Sequence, residues 1–189
     1  MSLNFTPEQQ QIRDSVMKLC QRFDDQYWLQ RDSDGIFPED FCQALVDDGW
    51  MGIAMPEEYG GSGLGITEAA IMAQAITESG AGNAGFAAIV IGIFGLNPVV
   101  VFGTEEQKRK WLPPIIKRQD IACFAVTEPN TGLDTTRLKT RAVDKGDHYL
   151  VNGEKIWTST AQVCNKMLII ARTKDESETK KPIDGLSLF

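Results

Sequence analysis

Two short segments hold the residue types from which a site for a flat heterocycle is built. Phe124 to Asp134 reads FAVTEPNTGLD, an apolar run that enters a polar Thr-Glu-Pro turn and then reaches Gly132, where the missing side chain lets backbone approach a ligand. Backbone amides in such a turn can hydrogen-bond an electron-rich ring. Later in the chain, Asn152 to Ser159 reads NGEKIWTS. Trp157 offers a face for a planar ring, and the hydroxyls of Thr158 and Ser159 follow at once as donors to ring heteroatoms, an arrangement suited to isoalloxazine. Either segment alone is weak, because TEP-type turns also merely join strands; the two together point to a cofactor.

Other chemistries find less support. Gly80 to Gly85 spells GAGNAG and satisfies the dinucleotide pattern GxGxxG, but that pattern needs a preceding strand so that a helix N-terminus meets the pyrophosphate. The preceding TEAAIMAQAITES is rich in helix formers, so a helix-to-helix corner is expected. The single histidine, His148, lies beside a turn, and no GxSxG elbow accompanies it. Paired acids such as Asp47-Asp48, Glu57-Glu58 and Glu105-Glu106 fall at helix ends and loops, where capping and solvation account for them. Cys20, Cys42, Cys123 and Cys164 are far apart in sequence and form no CxxC pair, which suggests neither a zinc site nor a disulfide framework and fits a reducing, cytoplasmic setting.

The elements that must position these residues change character near residue 120, so domains 1–120 and 121–189 are expected. The first is helical. Thr6, Pro7 and Gln9 form a capping-box start before Ile12, Val16, Leu19, Cys20 and Phe23 recur at helical spacing. Further helices are expected from about Pro38 to Gly49 and from about Glu68 to Ser79, with the turn-rich PEEYGGSGLG between them. Ala84 to Phe102 is apolar enough for a membrane test, but a spanning helix wants about 20 apolar residues, and Asn97-Pro98 interrupts after thirteen. A helix buried on all sides is expected instead. Thr104 and Gln107 repeat the capping box for a helix that Pro113-Pro114 should end. Beyond Ile121 the pattern turns strand-like: IACFAVT, LKTRAV, HYLV, MLIIART and GLSLF read as strands, with Asn152-Gly153 as the turn of a hairpin into EKIW. GLSLF looks like an edge strand without a return partner, so the β-domain looks truncated. The fold class expected is α+β, an all-α N-terminal domain followed by an incomplete antiparallel β-domain.

Composition sets outer limits. The apolar share of 42% and charged share of 24% are those of a globular protein, and the net charge of −7 has the wrong sign for tracking nucleic acid or an anionic membrane. Met1 to Leu3 could be an expression-vector start, and the sequon Asn4-Phe5-Thr6, without a secretory leader, reads as chance.

In order along the chain, TPEQQQIRDSV, LVDDGWMGIAMPEEYGGSGLG, GTEEQKRKWLPP, FAVTEPNTGLD and VNGEKIWTS resemble the acyl-CoA dehydrogenase family, across nearly the whole length. The resemblance implies FAD held between the β-domain and a C-terminal four-helix bundle that is not among these residues. It implies that Phe124, Val126, Thr127, Gly132 and Leu133 line the flavin, that Trp157 covers a ring face, and that Thr158 and Ser159 reach the ring edge. It further implies an acyl-CoA substrate in fatty acid metabolism, electron-transferring flavoprotein as acceptor, a homotetramer, and a glutamate base in the missing bundle, so that no catalytic residue is assigned here and the chain alone should be inactive. Glu128 is left a structural role in the turn. The apolar helix would border the acyl pocket, with Ala88, Ile91 and Gly95 leaving room for a medium or longer chain. Leu133 stands where the family commonly has serine, and Thr135-Thr136-Arg137 are bulkier than the family's small residues. Related flavin monooxygenases and acyl-CoA oxidases share the scaffold, and a non-catalytic scaffold derived from a dehydrogenase half is the alternative from another class.

Overall fold

The computed structural model describes residues 5–189; Met1–Asn4, considered above, lie outside them. The chain divides into a helical unit ending at Ile121 and a β unit, Ala122–Phe189.

The helical unit begins with α1 (Pro7–Cys20), whose capping box is formed as the sequence predicts: the Thr6 hydroxyl accepts from the Gln9 amide, and the Gln9 side chain accepts from the Thr6 amide. Next comes α2 (Asp25–Asp34), which the apolar pattern does not reveal because Trp28 is its one buried residue; capping by Asp24 and the left-handed Gly35 define it instead. Then follow α3 (Glu39–Asp47), α4 (Ile66–Ile76), α5 (Gly82–Val90), α6 (Asn97–Phe102) and α7 (Glu105–Ile116). The core is Val16, Leu19, Phe41, Leu45, Met72, Ile76 and Ile89, with the Phe41 ring edge-on to Phe23 and Trp28 at centroid distances of 5.3 and 5.0 Å.

One helical expectation holds and others change. GAGNAG is the predicted helix-to-helix corner, with Gly80 leaving helical geometry between α4 and α5. The apolar stretch is not buried on all sides. Helical structure from Ile66 to Phe102 is kinked at Gly80 and widens to a π-type turn at Ile91–Gly95, and only 39% of its most apolar window is buried. Asn97-Pro98 does not break it, because Pro98 falls in the first turn of α6, where its missing amide needs no partner. By length and composition this helix could cross a membrane, while its inner face belongs to the core. In α7, Pro113-Pro114 lie inside the last turn, and the helix ends two residues later at Ile116. Arg118, just beyond it, grips Glu39 of α3 with two hydrogen bonds of 2.6 and 2.5 Å.

The β unit is a mixed sheet, a correction to the antiparallel expectation. Its strands are β1 (Ala122–Ala125), β2 (Arg141–Asp144), β3 (Tyr149–Asn152), β4 (Lys166–Arg172) and β5 (Leu186–Leu188). β4 lies parallel to β1 and to β2, whereas β3 is antiparallel to β2 and β5 to β4. The hairpin is β2–β3, turning at Lys145–His148 with the Lys145 amide donating to the His148 carbonyl, 2.9 Å; Gly146 at φ +96° supplies the left-handed residue. Gly153 serves close approach instead, since a side chain there would run into Thr140. EKIW is therefore an irregular extended segment. The final strand has a partner: Phe189 and Ile169 exchange both backbone hydrogen bonds, at 3.0 and 2.9 Å.

Arg172, 6% exposed, fastens the loops around this sheet by donating to the carbonyls of Leu138 (3.0 Å), Thr136 (2.6 Å) and Pro182 (3.0 Å). Such a guanidinium is well placed because each of its three nitrogens meets an acceptor.

Truncating Phe41, fully buried amid aromatic rings, removes both contacts and leaves a cavity. Phe41→Ala is expected to destabilise the helical unit by about 3–5 kcal/mol, read from urea unfolding followed by tryptophan fluorescence.

Candidate functional site

The site grows from the end of β1. Phe124 and the two residues after the strand, Val126 and Thr127, are half-buried. Glu128 and Thr131 exchange backbone hydrogen bonds, 3.0 Å each way, closing the EPNT turn.

The Glu128 side chain turns inward and is 7% exposed. One carboxylate oxygen accepts from the Lys139 amide (2.7 Å), the other from the Thr140 amide (2.8 Å) and from Lys155 Nζ (3.0 Å). Lys155 also donates to the Val126 carbonyl at 2.9 Å, and the Ile156 amide donates to the Thr127 carbonyl at 2.9 Å. These bonds lay the EKIW segment along the TEP turn. Burial by itself would raise the Glu128 pKa, but the hydrogen bonds from Thr140, Lys139 and Lys155 outweigh it and hold the carboxyl at about 2. A group so weakly basic is a poor proton acceptor near neutral pH. Its work is structural, as its place in the motif implies.

Directly after the tie, Trp157 sits at φ +58° with its side chain 85% exposed. A bulky residue in the left-handed region costs about 1–2 kcal/mol, and here the indole gains little packing within the chain. Strain combined with exposure marks a group held out for something else to cover. Thr158 is half-buried and Ser159 exposed. Among the described residues none hydrogen-bonds the hydroxyls of Thr127, Thr158 or Ser159, so three donors are left for an outside acceptor. Thr160, also left-handed at φ +66°, closes the segment by donating to the Ala122 carbonyl, 3.1 Å.

Thus Phe124, Val126 and Thr127 are brought beside the segment that carries Trp157, Thr158 and Ser159. Gly132 and Leu133 lie farther along the loop, both exposed; a side chain at Gly132 would meet no atom within 4 Å, and Leu133 is wholly in solvent. In the helical unit, Ala88 on α5 is a core residue whose carbonyl faces the Cys42 thiol at 3.9 Å, Gly95 is buried, and Ile91 is half-buried. His148 is an exposed turn residue, 2.6 Å from Asp147. Lys155 was not legible as a site residue. Its only signal is the need of a buried Glu128 for a cation.

Against known proteins, residues 6–119 match the model of the acyl-CoA dehydrogenase N-terminal domain, and residues 123–189 match that of the acyl-CoA dehydrogenase middle domain. The chain belongs to the acyl-CoA dehydrogenase family. It is 33% identical over 186 residues to the probable acyl-CoA dehydrogenase YngJ of Bacillus subtilis, covering 98% of this chain and 49% of that protein. Among solved structures it resembles butyryl-CoA dehydrogenase from Megasphaera elsdenii, with a TM-score of 0.85 at 25% identity, and PigA in its FAD complex, with a TM-score of 0.88 at 25% identity. Each covers all of this chain and 49% of its own. The chain therefore spans about half the length of the relatives it matches. Within the acyl-CoA dehydrogenase family it carries the N-terminal and middle domains.

Because the Glu128 carboxyl is held at about 2, below its ordinary 4.5, its stabilising effect is complete above pH 4.5 and is lost as pH falls from 4.5 toward 2. Glu128→Gln should lack that part of the acid transition and, by leaving Lys155 buried without its partner, should cost about 3–5 kcal/mol at neutral pH. Denaturant melts of both proteins across that pH range provide the check.

Proposed function

We propose that this chain is the N-terminal and middle part of an FAD-dependent acyl-CoA dehydrogenase that introduces an α,β double bond into an acyl-CoA thioester. The observation that carries the reading is Trp157, strained, exposed and tied beside the TEP turn, with the hydroxyls of Thr127, Thr158 and Ser159 on the same two segments unpartnered among the described residues. When bound, FAD supplies the hydride acceptor. Phe124, Val126, Thr127 and Gly132 would line it, Trp157 would shield one ring face from water, and Thr158 and Ser159 would donate to the ring edge. Leu133 has no hydroxyl, so its share is limited to backbone contact. The set fits such a ring, since it unites an apolar face with donors that have no competing partner among the described residues.

Proton removal belongs to a residue outside this chain, because Glu128 is committed to holding the turn. The isolated chain is therefore inactive and holds FAD weakly. Continued by the C-terminal family domain it would assemble as a homotetramer, act in cytoplasmic fatty acid metabolism and pass electrons to electron-transferring flavoprotein. Ala88, Ile91 and Gly95 would admit a medium or longer acyl chain.

In a polypeptide that joins this chain to the C-terminal family domain, we expect bound flavin and its anaerobic bleaching by acyl-CoA thioesters. Trp157→Ala should weaken FAD retention about tenfold, on the order of 1.4 kcal/mol, measured by flavin fluorescence on dilution. Bleaching confined to short branched substrates would remove the chain-length reading; peroxide release with each turnover would make the protein an oxidase; no flavin at all would leave a non-catalytic scaffold.

A further inference from the structure

Cysteines that look unrelated in sequence meet in the β unit. Cys123 Sγ and Cys164 Sγ lie 3.3 Å apart, although 41 positions separate them. Both ends of this contact are anchored by backbone. Cys123 sits in β1, opposite Met167 of β4. Cys164 closes the turn just before β4, its amide donating to the Thr160 carbonyl at 3.0 Å, and Thr160 in turn donates from Oγ1 to the Ala122 carbonyl at 3.1 Å. The neighbour of one cysteine is thus bonded to the turn that presents the other. The sulfurs stand little more than an ångström beyond the bonded distance of about 2.05 Å.

We propose that Cys123 and Cys164 are a modification site, forming a reversible intramolecular disulfide with hydrogen peroxide as oxidant. Accessibility divides the roles. Cys164 is half-buried and its thiol also reaches the Ala161 carbonyl at 3.5 Å, whereas Cys123 is fully buried. Burial first, and the neighbouring Cys164 second, push the Cys123 pKa up to about 12, so it stays protonated and Cys164 reacts first. The Cys164 thiolate attacks one peroxide oxygen, the O–O bond breaks, and a sulfenic acid forms as the departing oxygen leaves as water after taking a proton. The Cys123 sulfur then attacks the Cys164 sulfur, the S–O bond breaks, and the Cys123 proton leaves with the hydroxyl as a second water. Two thiols lose two electrons and one peroxide gains them. The bond joins the residue before Phe124 to the turn after Ser159, so the two segments of the candidate site become covalently tied; the bond itself follows from sulfur geometry and does not depend on FAD binding.

The test treats the reduced chain with hydrogen peroxide, blocks free thiols, and maps peptides without reductant. A Cys123–Cys164 linked peptide is expected, with loss of two hydrogens from the intact mass, and reversed by dithiothreitol. It should exceed any other cysteine pair by at least about tenfold, while Cys20 and Cys42, buried in the helical unit, stay reduced. In urea the preference should vanish. Cys123→Ser should leave Cys164 as a sulfenic acid that dimedone captures, and Cys164→Ser should leave Cys123 unreacted. Oxidation of Cys164 to sulfinic acid without linkage, linkage only between separate chains, or both thiols remaining free would each overturn the proposal.

Discussion

The buried contact between Glu128 and Lys155 sets the shape of the candidate site. Both side chains lie at 8% exposure or less, so neither charge is strongly screened by water and each depends on the partners the fold provides. Glu128 receives two backbone amides as well as the ammonium, and Lys155 divides its protons between that carboxylate and the Val126 carbonyl. An ion pair taken out of water gains little net stability by itself. What this one adds is position, because its bonds hold together four stretches of backbone that have no common strand: the end of β1, the EPNT turn, the Lys139–Thr140 stretch before β2, and the EKIW segment.

That fixation explains how Trp157 can be kept in the left-handed region. Lys155 and Ile156 are tied to the TEP turn on one side, and Thr160 is tied to Ala122 on the other. Between these anchors the backbone has little room to relax, so the strain persists and the indole is directed outward. The same anchoring brings Cys164 to Cys123. One set of local bonds therefore accounts for the exposed aromatic ring, the unpartnered hydroxyls and the close pair of sulfurs.

The helical unit shows a different economy. Phe41 and its aromatic neighbours form a dry centre, while the run from Ile66 to Phe102 commits only one face to it and leaves Val101 and Phe102 exposed. Membership of the acyl-CoA dehydrogenase family gives this partial burial a context, since the chain spans about half the length of its relatives. An apolar helix of this length carries more hydrophobic surface than the helical unit covers.

Local rules already written in the sequence decided much of this. The capping boxes at Thr6 and Thr104, the helical spacing of Val16 and Leu19, and the helix-to-helix corner at GAGNAG all depend on residues within a few positions of one another. The FAVTEPNTGLD and NGEKIWTS segments likewise announce the family without a structure. Elements that answer to distant partners were not legible. α2 carries too little apolar surface to show a period, and Gly153 looks like a turn until Thr140 is seen against it. The parallel pairing of β4 with β1 and β2 comes from long-range register, and the Glu128–Lys155 and Cys123–Cys164 contacts join residues 27 and 41 positions apart. The sequence by itself determined which residues could bind and cap, because those properties reside in side-chain type and short spacing; only the tertiary structure decided which of them meet, because burial and hydrogen-bond satisfaction are properties of the whole packed chain.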